Sequence, residues 1–141
     1  MSRVINLNSP GKIRNQLMRT GAELISHLGQ KSEIDEETRD LIAFLIFCLR
    51  DIDDGIGESV LAWEKRDYWV KAEQFRIKWS WVRSAANELE EIVRSENWEQ
   101  LPMMMVQLYP YFEDIKVVKH TRTPDLWEGA YRKLLNGNVQ Q

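Results

Sequence analysis

A chain of 141 residues, 43% of them hydrophobic, with seven glycines and four prolines is long enough to bury a core as one domain, residues 1–141, and lacks the turn-rich composition of a β-sandwich. Its net charge of −3 gives no global reason to expect nucleic acid. The lone cysteine, Cys48, excludes an intramolecular disulfide and suits a reducing compartment.

Residues 1–9 read as an irregular N-terminal arm. The stretch Met1 to Asn6 has no apolar core of a secretory signal, so the expected location is the cytoplasm. Ser9-Pro10 is an N-cap followed by proline at the first helical position. It predicts a helix to about His27 that buries Ile13, Leu17, Gly21 or Ala22, Leu24 and Leu28, with Gly29 as its stop.

A second helix is expected over Glu36–Arg66, about 45 Å long. Acidic Glu33, Asp35, Glu36 and Glu37 suit the positive end of its macrodipole. Leu41 to Leu49 is apolar without interruption, and Ile52, Ile56, Val60 and Trp63 continue at helical spacing. The run is far short of the roughly 20 residues a bilayer requires, so it predicts a central core helix and no membrane partner. Gly55 and Gly57 mark a weak point, a kink or a close crossing; the stripe keeps its phase across them, which favours a continuous helix.

A third helix is expected from about Asp67. Ala72, Phe75, Trp79, Val82, Ala86, Leu89 and Val93 share one face, while Val70, Ile77 and Trp81 lie roughly opposite. A helix with two apolar sides packs between neighbours or exposes a docking surface. Asn97 and Gln100 then resemble a capping box, and Pro102 precedes a helix over Met103–Phe112. Residues 116–123 read as a loop. Thr123-Pro124 repeats the cap-plus-proline signal before a last helix, Asp125 to Leu135, burying Leu126, Ala130, Leu134 and also Trp127. Gly137 ends it, and residues 136–141 form a fraying tail.

Candidate chemistry is sparse. Ser9-Pro10-Gly11-Lys12 lacks the earlier glycine, the Ser or Thr after lysine and the preceding strand of a P-loop. Asp40, Asp51, Asp54 and Glu58 share one side of the second helix, near Glu36. Helical di-metal sites need such groups converging from several helices. A solvated acidic face is therefore favoured, and a divalent-metal-dependent enzyme using Asp51, Asp54 and Glu58 is a remote alternative. His27 and His120 lie in no nucleophile or zinc motif. No cofactor is implied. Aromatic and basic residues interleave from Trp63 to Arg83, as in nucleic-acid binders. The helical wheel instead sets Lys71, Arg76, Lys78 and Arg83 along the edges of an apolar stripe, as snorkelling side chains sit beside a core.

The expected fold is all-α: a compact helical bundle of three longer helices with one or two shorter C-terminal helices. The favoured function is a non-enzymatic adaptor or assembly component. It would bind another protein, or a second copy of itself, through Val70, Ile77, Trp81, Met103 and Met104. The alternative is nucleic-acid or phosphate-ligand binding by Arg3, Lys12, Arg14, Lys65, Arg66, Lys71, Lys119 and Arg122, the N-terminal arm and the 116–122 loop converging into one basic patch.

Overall fold

The computed structural model describes residues 9–137. Among them the chain is all-α, with no strand: α1 (Pro10–Gly29), α2 (Glu36–Lys65), α3 (Trp69–Lys78), α4 (Ser80–Ser95), α5 (Leu101–Phe112) and α6 (Ala130–Gly137). Helix α2 is the axis. It packs against α1, α3, α4 and α6, while α5 lies across α1 and α4. No helix among the described residues is long and apolar enough to cross a membrane.

The axis starts where Asp35 caps it, its carboxylate accepting from Thr38 N–H at 2.8 Å. Leu41, Ile42, Leu45, Ile46 and Leu49 are all fully buried. Each such side chain contributes about 1.5–3 kcal/mol relative to exposure. Cys48 is buried among them, and burial pushes its thiol up to about 12. That leaves it un-ionised at neutral pH and a poor nucleophile.

Helix α2 runs unbroken through Gly55 and Gly57, where an added Cβ would meet nothing within 4 Å. The close crossing is at Gly21 instead. A Cβ there would sit 2.9 Å from Phe112 Cε1, so the absence of a side chain lets α5 approach α1.

The expected third helix is two helices. At Trp79 (φ −105°, ψ 9°) the chain leaves helical geometry, and Ser80 Oγ donates to Ile77 C=O. On an unbroken helix Trp79 and Trp81 would point about 200° apart. The break brings their rings to 6.1 Å. Trp81 then stacks flat on Tyr111 of α5, centroids 4.1 Å apart, with Phe112 edge-on at 5.8 Å. Offset and edge-on aromatic pairs of this kind add about 0.5–1.5 kcal/mol each beyond area burial.

The C-terminal segment also differs from its expectation. A 3-10 turn occupies Pro124–Leu126, and α6 begins only at Ala130. Trp127 is fully buried, as expected, but Leu126 is exposed, contrary to the straight helical wheel. Gly129 supplies the left-handed turn, φ 83°, that launches α6. Asp40, expected on a solvated face, is buried beneath this turn. Its carboxylate accepts from Gly129 N–H at 3.1 Å and Tyr131 N–H at 2.9 Å. It caps α6 from another helix and meets donors that would otherwise be orphaned. Ile13, expected in the core, is exposed.

Candidate docking surface

Helix α5 has no charged residue in its twelve positions. Leu101, Met104, Leu108 and Phe112 recur at helical spacing and face the core. The outward side is apolar as well: Met103 is 62% exposed, Val106 66% and Tyr109 59%. A surface helix of a globular protein ordinarily turns charged and polar residues to water, and a helix apolar all round is ordinarily buried. Here the outer half is uncovered.

Beside it, α4 and α5 enclose a groove of about 540 Å³. Ile92, Met103 and Met104 give it an apolar, deformable lining. Glu88, Glu91 and Glu99 stand on its rim. All three are exposed, and none forms an ion pair among the described residues. The neighbouring Glu90 differs: it is held by Arg50 and Arg94, each at 2.8 Å. Among the described residues, therefore, nothing neutralises the negative charge at the groove.

The five residues expected to form the apolar surface separate. Met103 lies on the outer face, whereas Met104 is in the core and reaches the groove only as its floor. Trp81 is partly buried on Tyr111 and does not share a face with Val70 and Ile77. Those two are 72% and 62% exposed on α3, whose one buried residue is Ala72. Exposed Tyr68 and Trp69 extend this second apolar surface.

The basic residues occupy several places. Arg14 lies over the rings of Phe75 and Trp79, at 5.1 and 5.4 Å, and lines a 300 Å³ cavity with Asp51, Asp54 and Glu58. Lys71 sits over Trp63, and Lys65 and Arg66 mark the end of α2 and its cap. Lys12 is exposed near the start of α1. Arg122 is bound to Glu23. Lys119 shares a 510 Å³ cavity with Arg19, Lys116 and Arg122, and Glu23 and Asp114 line the same space. Arg3 lies outside the described residues.

One cluster had no signal in the sequence. Glu23 on α1 is 3% exposed and anchors the 113–123 strap. It accepts from Arg122 N–H at 2.7 Å, Arg122 Nη1 at 3.0 Å and Thr121 Oγ1 at 3.2 Å. Burial pushes its carboxyl up, but the bonds from Arg122 and Thr121 together outweigh this and hold it at about 2. Next to it the rings of His27 and His120 meet at 3.8 Å, tilted by 38°, and Ser26 Oγ is hydrogen-bonded to His120 Nε2 at 2.9 Å. A Ser–His pair of this length matches nucleophile–base geometry. The adjoining cavity, however, is lined by Arg19, Lys116 and Lys119, with neither Ser26 nor His120 on its wall. The arrangement fastens the strap to α1. Among the described residues no group of three or more His, Cys, Asp and Glu side chains is placed to hold a metal ion.

Comparisons with protein-family models, with curated proteins and with solved structures find no match.

Proposed function

We propose that this protein is a non-enzymatic interaction domain of a reducing, cytoplasmic compartment, and that its working surface is the outer face of α5 with the adjoining groove. The observation that carries the reading is the uncharged sequence of α5, exposed on the side where Met103, Val106 and Tyr109 stand. Exposed apolar area of this kind, rimmed by acidic groups, marks interaction sites in soluble proteins. Methionine lets such a surface repack around its partner.

These side chains contribute little to the fold, so their replacement separates binding from stability. Val106→Glu/Tyr109→Glu is expected to keep the helical circular dichroism and to change stability by no more than about 0.5 kcal/mol. In cell extract the tagged native protein is expected to elute well above its 16.7 kDa monomer size. The variant is expected at the monomer position. Identical elution of the two would contradict the proposal.

A further inference from the structure

The molecule carries two exposed apolar surfaces, and their charges are opposite. The first is the α4–α5 groove, with Glu88, Glu91 and Glu99 on its rim. The second is the ridge of α3. Val70 and Ile77 are seven residues apart, two helical turns on one side, and both are exposed. Residues 65–78 contain five basic groups and two acidic ones. Of the five, Arg76 is held by Glu64 and Glu73. Lys65, Arg66, Lys71 and Lys78 form no ion pair among the described residues. The ridge is therefore an exposed apolar line with the unpaired Lys71 and Lys78 along one edge, and the groove is an apolar slot with acidic flanks.

Their sizes agree. Val70 and Ile77 stand about 10 Å apart along α3, and the groove wall from Glu99 to Gln107 runs about 12 Å. Helix α3 is joined to α4 through Trp79 alone and is packed on α2. It cannot reach a groove that lies toward the other end of the helix that follows it, at Glu88, Glu91 and Ile92. Only another molecule can bring ridge and groove together.

We propose that the occupant of the α4–α5 groove is the α3 ridge of a second copy of this chain, giving a head-to-tail assembly. Val70 and Ile77 enter the slot against Ile92 and Met103, and Lys71 and Lys78 face Glu88, Glu91 and Glu99. The contact is heterologous: each copy that gives its ridge keeps an open groove, so the chain of copies grows unless it closes into a ring. The charged rim selects register and orientation, and the apolar centre holds the pair. This inference rests on the reading of the groove as a docking surface and names what fills it.

Light scattering on the purified full chain tests it with two variants. Val70→Glu/Ile77→Glu destroys the ridge and leaves the groove. Glu91→Lys/Met103→Lys destroys the groove and leaves the ridge. The native mass is expected to climb with concentration beyond two copies, and to fall as salt is raised. Each variant alone is expected to stay at one copy. An equimolar mixture is expected to give a species of two copies and nothing larger, because one intact ridge meets one intact groove and both outer ends are blocked. A native protein that stays monomeric, a variant that assembles as the native does, or a mixture that stays monomeric would each overturn the proposal. If an apolar-to-charged change disturbs folding, Lys71→Glu/Lys78→Glu and Glu88→Lys/Glu91→Lys serve instead. Each alone repels its own kind, and their mixture assembles; a mixture that stays monomeric overturns the proposal. A monomeric native protein that still loses a partner in extract through Val106→Glu/Tyr109→Glu overturns the head-to-tail contact and leaves the docking surface standing.

Discussion

Replacing Glu23 with glutamine is expected to destabilise the fold by about 3 kcal/mol at neutral pH and by only about 1 kcal/mol near pH 3. The carboxylate is buried and holds a segment nearly a hundred positions away, through Arg122 N–H, the Arg122 guanidinium and Thr121. Its folded pKa of about 2 lies below the ordinary 4.5. A depressed carboxyl stabilises the fold fully above its unfolded value and loses that contribution as pH falls through the folded value. Glutamine keeps the shape and removes the charge, so it mimics the protonated acid at every pH. Asp35, Glu37 and Glu90 are also held low, and comparing variant with native at each pH cancels their shares. Urea unfolding at both pH values measures the gap. A gap of unchanged size at pH 3 would mean that the charge on Glu23 does not hold the strap.

Trp127→Ala is expected to cost about 3–5 kcal/mol, the range for deleting a large buried aromatic. The indole is enclosed beside His27, its ring 5.0 Å away, and its N–H donates to Glu37 Oε2 at 3.3 Å. Its removal opens a cavity where the turn into α6 meets α1 and α2, next to the Asp40 cap. The adjacent Leu126→Ala, at an exposed side chain, is expected to stay within about 0.5 kcal/mol. Denaturant unfolding of both variants is the check. Equal costs at the two positions would contradict the placement of the turn and restore the straight helical wheel through Asp125.

That pair shows where sequence reasoning reaches its end. Periodicity identified α2 and the all-α class, because Leu41 to Val60 repeat a physical requirement of every buried helix. Ser9-Pro10 located the start of α1 through local backbone chemistry. The break at Trp79 left no local mark: Ala72, Phe75, Trp79, Val82 and Ala86 keep one phase across it. Beyond the break Trp81 meets Tyr111, a contact thirty residues away in the chain. Asp40 sits on the acidic side of the wheel, and only the return of α6 buries it. Glu23 and Arg122 are likewise joined by topology. The outer face of α5 was half legible. Met103 and Met104 are both expected on the apolar surface, yet nothing local distinguishes Met104, which is core, from Met103, which is not. The groove rim was hidden because Glu88 and Glu91 come from α4 and Glu99 from the turn before α5.

A photoreactive phenylalanine analogue placed at Val106 in living cells tests most directly whether the outer face of α5 is the binding surface. Irradiation is expected to yield a discrete protein adduct, and the same group at exposed Glu128 is expected to yield none. An adduct of two copies of this chain would name the partner as itself; one of another mass would name a different protein on the same surface. A Val106 position that gives no more adduct than Glu128 would contradict the claim that α5 is where this molecule is bound.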